Sequence, residues 1–79
     1  MRSLVEKPPT LNESLDLLLQ IPADIKIIRE KGKIGLTRLA RTFRVSKEAV
    51  WSWEKGYSLP KEPLITLSII SWAERLRRD

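Results

Sequence analysis

Basic and polar side chains that could bind an anionic ligand are concentrated between residues 36 and 57. This stretch holds five basic residues against two acidic ones, whereas residues 1–21 hold two basic against three acidic. Arginine and lysine attract anions and donate hydrogen bonds to them. We therefore expect nucleic acid as the first candidate partner and an anionic membrane surface as the second. A solvated basic surface without a partner would explain the same charge.

The composition of the 79-residue chain excludes several other kinds of chemistry. The 15 Lys and Arg exceed the 10 Asp and Glu by a net charge of +5, and Cys and His are absent. Disulfides and thiolate metal sites are therefore excluded, and the commonest general base is missing. The carboxylates are scattered, and we find no glycine-rich phosphate loop and no nucleophile paired with a base. We expect no enzyme, no catalytic residue, no metal, no cofactor and no small-molecule ligand.

The hydropathy of the chain predicts neither a membrane span nor a secretory signal. No segment reaches the roughly 20 apolar residues that a membrane helix needs. The first ten residues, "MRSLVEKPPT", lack the apolar core of a signal peptide. We therefore expect a cytoplasmic, nucleoid-associated protein. We also expect no binding to a membrane surface, because the basic residues lie on a compact motif and not along one continuous amphipathic helix.

Apolar periodicity predicts five helices, at about 11–20, 22–31, 36–43, 47–55 and 62–77. Residues typical of helix ends support these bounds, namely Thr10 with Glu13, Pro22, Gly32, Ser46, Gly56 and Pro63. We see no strand-like alternation. The expected fold is all-α, a compact bundle of about five short helices in one domain, 10–79. Residues 1–9, which end in two prolines, are expected to form an extended N-terminal arm.

The apolar faces of these helices predict the core. From the first helix to the last, the expected inward residues are Leu11, Leu15, Leu18, Leu19, Ile25, Ile28, Leu36 or Leu39, Ala40, Phe43, Val45, Val50, Trp53, Ile65, Ile69, Trp72 and Leu76. Leu64, Leu67 and Ile70 widen the apolar face of the helix at 62–77 beyond the area that one neighbouring helix usually covers. The helices at 11–20 and 62–77 are therefore either candidates for a dimer interface or cover one another.

Two tryptophans lie two residues apart in the helix at 47–55. Residues at i and i+2 of a helix point about 200° apart, so both rings cannot enter one core. We expect Trp53 to be the inward anchor and Trp51 to lie on the outward face.

The helices at 36–43 and 47–55 are separated by about three residues, so they must cross steeply, as in a helix-turn-helix. The stretch "LARTFRVSKEAVWSWEKG" resembles the helix-turn-helix proteins of the phage-repressor type, the Cro-like or XRE family. The family pattern L-A-x-x-x-G-V-S-x-x-x-(I/V)-S-x-W-E-x-G is in register at Leu39, Ala40, Val45, Ser46, Val50, Glu54 and Gly56. Of the Ser/Trp positions 51 to 53, Trp53 matches, and Trp51 stands where the pattern has Ser. The resemblance covers about residues 24 to 73, including "DIKIIREKG" and Pro60.

The resemblance implies a lambda-repressor-like fold with its helix-turn-helix at about 36–55. It implies a sequence-specific, double-stranded DNA-binding transcriptional regulator, a repressor, whose helix 47–55 enters the major groove. The expected partner is a palindromic operator bound by a homodimer, because two-fold symmetry places two such helices about one DNA turn apart. The alternative function is a protein-interaction module, such as an antitoxin or adaptor, that uses the same fold.

The chain also departs from the family pattern in two places, the turn and the start of the helix 36–43. The family usually has Gly where this chain has Arg44, because a left-handed backbone suits the turn. Arg44 therefore implies either strain or a different turn. The family's Thr cap and Gln at the start of the helix 36–43 are replaced by Gly35 and Leu36. Only backbone N–H groups could then bind a phosphate at this end.

The resemblance also assigns roles to individual residues. Base contacts fall to Ser46, Lys47, Glu48, Trp51 and Ser52. Phosphate contacts fall to Leu36, Arg38, Arg41, Arg44, Lys55, Tyr57 and Lys61. The partner of Trp51 could be a thymine methyl, a sugar or a second protein chain; otherwise its ring lies over Lys47 or Lys55. Glu54 is expected to pair with Arg29 inside the fold and to make no DNA contact.

Overall fold

The computed structural model describes residues 11–78 of the chain, with side chains from residue 15 onward, and in that range contains five helices and no strand. These are α1 (Leu11–Leu19), α2 (Ile21–Lys31), α3 (Leu36–Phe43), α4 (Lys47–Lys55) and α5 (Pro63–Arg78). The predicted all-α bundle is confirmed, and each helix boundary lies within one residue of its prediction. The predicted extended arm, the Thr10–Glu13 capping pattern and the inward side chain of Leu11 lie outside the part of the chain that the structure describes.

Glycine ends two of the helices, but in different ways. Gly56 follows α4 in the left-handed conformation, at φ 81°, where a side chain would be strained. Gly32 follows α2 with ordinary right-handed angles, and its N–H donates to the carbonyl of Ile28 at 2.9 Å. The left-handed residue after α2 is the next one, Lys33, at φ 54°. The helix α2 therefore ends at the position that Gly32 predicts, although the left-handed residue is Lys33 and not the glycine.

The core lies around α2, which packs most extensively against α5 and also contacts α4. Its buried residues come from four helices: Ile21, Ile25, Ile28, Leu39, Ala40, Val50, Trp53, Ile69 and Ala73. Of the two alternatives for α3, Leu39 is the buried one, while Leu36 is only partly buried. Phe43 is also partly buried and meets Trp72 of α5 edge to face, with ring centroids 6.4 Å apart.

The leucine face of α1 is the main error in the predicted core. Leu15 and Leu19 were expected to point inward, yet they are 48% and 76% exposed, and only Leu18 is partly buried. Since α1 has nine residues and lies mainly against α2, it offers little area for burial. Leu64 and Leu67 of α5 are also exposed. Leu18 of α1 and Ile70 of α5 line one open groove of about 400 Å³ and are partly buried, so the faces of α1 and α5 cover one another only in part.

Among the described residues, two ion pairs join different helices of the bundle. Nη1 of Arg29 on α2 lies 2.5 Å from Oε1 of Glu54 on α4, as the family resemblance implied. Nη2 of Arg77 on α5 lies 2.6 Å from Oδ1 of Asp24 on α2, a contact that the sequence did not predict. Asp24 is fully buried, and its burial raises the pKa of the carboxyl, an effect that Arg77 opposes.

Candidate nucleic-acid interface

The turn between α3 and α4 consists of residues 44–46 and is held by short-range hydrogen bonds. The N–H of Val45 donates to the carbonyl of Ala40 at 3.0 Å, which turns the chain back over the end of α3. Ser46 begins α4, and its Oγ accepts a hydrogen bond from the N–H of Ala49 at 3.0 Å. These contacts fix how α4 leaves the turn. They also account for Ser46 as the predicted helix cap.

Arg44 adopts the left-handed conformation within this turn, with φ 58° and ψ 45°. The backbone of the turn is therefore the left-handed one that favours glycine, and Arg44 adopts it at the cost of some strain. That strain is roughly 1–2 kcal/mol for a residue with a Cβ atom. Because the Arg44 side chain is exposed and belongs to none of the ion pairs found among the described residues, it is a candidate for a role in binding.

The N-terminus of α3 has no side-chain cap. Gly35 takes the cap position with an extended backbone, and a Cβ atom added there would meet no atom within 4 Å. The side chain of Leu36 packs against the core, so only its backbone N–H could meet a phosphate, as the resemblance implied. The first N–H groups of α3 are thus left without an intrahelical partner.

The five basic residues of the α3–α4 region all lie exposed on the outside of the helix pair. They are Arg38, Arg41, Arg44, Lys47 and Lys55. Within the described residues none of them belongs to an ion pair, since the pairs found join Arg29 with Glu54, Arg77 with Asp24 and Arg78 with Glu74. Glu54 is neutralised by Arg29, which leaves Glu48 as the one acidic group on the outward surface of residues 36–57. This surface is therefore more strongly cationic than the sequence count implies.

The outward face of α4 carries the side chains assigned to base contacts. Lys47, Trp51 and Lys55 are spaced four residues apart and form one stripe along the helix. Glu48 and Ser52 form the neighbouring stripe. Trp51 is 44% exposed and Trp53 is 5% exposed, which confirms that the two rings point to opposite sides.

Trp51 has an aromatic neighbour that the sequence analysis missed. Its ring meets that of Tyr57 edge to face, with centroids 5.5 Å apart and ring planes at 61°. The left-handed Gly56 turns the chain back so that Tyr57 returns to α4, and this glycine is the signal from which the contact could have been inferred. Oγ of Ser52 also lies 2.7 Å from Oγ of Ser58, within hydrogen-bonding distance.

The two remaining predicted phosphate contacts lie after α4, and the structure places them differently. Tyr57 is 73% exposed and lies beside Trp51 on the outward side of α4. Lys61 instead borders a surface groove of about 390 Å³ that Val45 and Ala49 also line. Tyr57 is thus part of the α4 surface, whereas Lys61 lies along the side of α4 that faces the following loop.

Comparisons with known proteins returned no match. A scan against protein-family models, a search of curated proteins and a search of solved structures were all negative. None of the helices in the described part of the chain is long and apolar enough to cross a membrane.

Proposed function

We propose that this protein is a sequence-specific, double-stranded DNA-binding transcriptional regulator that represses by occupying promoter DNA. In this proposal α4 enters the major groove and the exposed groups of α3 and the turn contact phosphates. The observation that supports it best is the separation of residue types on the α3–α4 pair. Leu39, Ala40, Val50 and Trp53 are buried, while all five basic side chains are exposed and outside any described ion pair.

The chemistry of the exposed groups determines which of them contact bases and which contact phosphates. Lys47 can donate to guanine O6 or N7, and Glu48 can accept from cytosine N4, so these two carry base recognition. Ser46 and Ser52 are small hydroxyl donors and acceptors beside them. Arg38, Arg41 and Arg44 contact phosphates and set the register of the helix. Each such contact releases a counterion, so affinity falls as salt rises.

A homodimer on a palindromic operator completes the proposal. One small module offers few base contacts, and a second copy doubles them about one DNA turn away. The exposed leucines of α1 or α5 provide apolar surface for such an interface, above all Leu19 and Leu64. Sedimentation of the Leu19→Glu and Leu64→Glu variants would show which helix is used. The proposal also places the protein in the cytoplasm, associated with the nucleoid.

Fluorescence anisotropy with a pool of labelled duplexes tests DNA binding directly. We expect affinity to fall steeply between about 50 and about 200 mM salt, because several phosphates are neutralised. An Arg38→Ala/Arg41→Ala variant should bind more weakly and with a shallower salt slope. Lys26→Ala removes another exposed charge, this one from α2, and should leave the slope unchanged. Salt-insensitive binding, or equal effects of both variants, would refute the proposal.

A second candidate function, a protein-interaction module, is favoured by the surface between α3 and α5. Phe43, Leu64, Leu67 and Trp72 line an open groove of about 530 Å³, and Leu64 is 75% exposed. Exposed apolar patches of this kind often mark protein contacts. This function would be preferred if no duplex showed salt-sensitive binding while Leu64→Glu abolished the binding of a partner protein.

A further inference from the structure

Trp51 and Tyr57 form an exposed aromatic pair that does not contribute to the core. Neither ring belongs to the buried cluster or to the side chains packed against it. Their exposed fractions are 44% and 73%, although burial of such large rings would be favourable. The packing of the fold therefore does not explain why two aromatic residues occupy these positions.

The pair is held in place by the backbone that follows α4. The N–H of Gly56 donates to the carbonyl of Trp53 at 3.2 Å, and that of Tyr57 donates to the carbonyl of Ser52 at 2.9 Å. These bonds return the chain to α4 and place the Tyr57 ring against Trp51. The Trp51 ring thus has a neighbour that limits its rotation before any partner binds, which lowers the entropic cost of binding.

The charges around the pair indicate what kind of surface it meets. Lys47 and Lys55 lie one helical turn to either side of Trp51, and both are exposed. An apolar ring between two cations fits a partner that combines apolar groups with closely spaced negative charge. Double-stranded DNA has this combination, because its major groove presents thymine methyl groups between two rows of phosphates.

We propose that Trp51, supported by Tyr57, is a specificity-determining residue that contacts the C5-methyl group of a thymine in the major groove. This inference rests on the proposed DNA-binding function and adds to it the base pair that the centre of α4 recognises. Among the four bases only thymine presents an apolar group in the major groove. The operator therefore contains an A·T pair at the position that Trp51 faces.

The test replaces thymine by uracil, which differs only in lacking the methyl group. The probe is a duplex enriched by this protein from a random library, in which one thymine at a time is changed to deoxyuridine. We expect one position in each half-site to weaken binding by about fourfold, the factor that burial of one methyl-sized group gives. The ratio to compare is the affinity for the thymine duplex divided by the affinity for the uracil duplex at that position. In Trp51→Ala this thymine-to-uracil ratio should be close to one.

Matched variants separate this contact from a general loss of binding. Tyr57→Ala should also lower the ratio, whereas Tyr57→Phe, which keeps the ring, should retain it. Leu59→Ala removes an apolar side chain of similar exposure, 42%, from the loop after α4 and should leave the ratio unchanged. Because the Tyr57 variants leave Trp51 in place, they test the inference even if Trp51→Ala fails to fold.

Four outcomes would overturn the inference. If no thymine position in the duplex responds to uracil while binding itself is intact, the methyl contact is refuted and DNA binding stands. If the ratio persists in Trp51→Ala, another residue reads the methyl group. If the single-stranded form binds more tightly than the duplex, the pair stacks on unpaired bases instead. Failure to enrich any duplex would refute the proposed function itself, and the inference with it.

Discussion

Nη1 of Arg29 lies 2.5 Å from Oε1 of Glu54 and joins the middle of the bundle to the C-terminal part of the proposed recognition helix. The Glu54 side chain is only 8% exposed, whereas that of Arg29 is 33% exposed. The acidic partner therefore depends on the pair more than the basic one does, because it has little access to water. The pair also removes a negative charge from the surface that would face DNA.

Removal of Arg29 should destabilise the fold, because the Glu54 carboxylate would be left nearly buried without a counterion. We expect Arg29→Ala to lower the free energy of unfolding by about 1–3 kcal/mol, measured by urea denaturation. The double variant Arg29→Ala/Glu54→Gln should lose less than the sum of the two single variants. Lys31→Ala, at an exposed site on the same helix, serves as the control. Additive losses would show that the two residues are not coupled.

The contribution of Asp24 to the stability of the fold should increase as the pH falls. Burial raises the pKa of its carboxyl above the ordinary 3.8, and the hydrogen bond and charge of Arg77 only partly oppose this. The folded state therefore holds the proton more tightly than the unfolded state does. The contribution of Asp24 to stability accordingly improves as the pH falls through the raised folded pKa, and it levels off below 3.8.

The measurement compares wild type with Asp24→Asn by urea denaturation from about pH 7 to about pH 3.5, so that the other carboxylates cancel. We expect the difference in unfolding free energy to shift in favour of wild type as the pH falls. A shift in favour of wild type as the pH rises would mean that the ion pair with Arg77 outweighs desolvation.

Arg44 should show opposite effects on stability and on binding. Arg44→Gly relieves the left-handed strain, whereas Arg44→Ala removes the same charge and keeps the strain. We expect the glycine variant to be more stable than the alanine variant by about 1 kcal/mol in thermal or urea unfolding. Both should bind DNA more weakly and reduce the salt slope by about one phosphate contact. Unchanged DNA binding in both would remove Arg44 from the interface.

Two substitutions of Ser46 should distinguish its role as a helix cap from its role in DNA binding. Ser46→Ala loses the hydrogen bond to the N–H of Ala49 and should cost about 1 kcal/mol of stability. Ser46→Asp keeps a capping oxygen and should retain the stability of wild type. Its negative charge would nevertheless repel phosphates, so we expect its DNA affinity to fall below that of Ser46→Ala. The opposite order of affinities would place Ser46 away from the DNA.

The positions of the helices could be predicted because local residues specify their ends. Ser46 as a cap, Gly56 as a left-handed stop and Pro63 at the start of α5 each act within one or two turns of the chain. The burial of Trp53 and exposure of Trp51 likewise follow from helical periodicity alone. Such features need no knowledge of the tertiary contacts.

The errors and omissions concern contacts that depend on the tertiary arrangement. Asp24 and Arg77 are 53 residues apart in the chain, and no local pattern joins them. The leucines of α1 have the right period for burial, but periodicity does not say whether a neighbouring helix covers them. At the candidate site, the charge pattern predicted a basic surface. The pairing of Glu54 with Arg29 came from the family resemblance and is confirmed, whereas neither the charge pattern nor the resemblance showed that the ring of Tyr57 lies against Trp51.

Selection of bound duplexes from a random double-stranded library tests most directly whether α4 recognises a DNA sequence. We expect enrichment of a palindrome whose half-sites lie about 10 base pairs apart, or a multiple of one helical turn. Lys47→Ala should relax the preference at a defined position of each half-site, while Arg41→Ala should weaken binding to all sequences alike. No enrichment over the starting library, or the same enriched sequence and affinity with both variants, would refute sequence-specific DNA binding by α4.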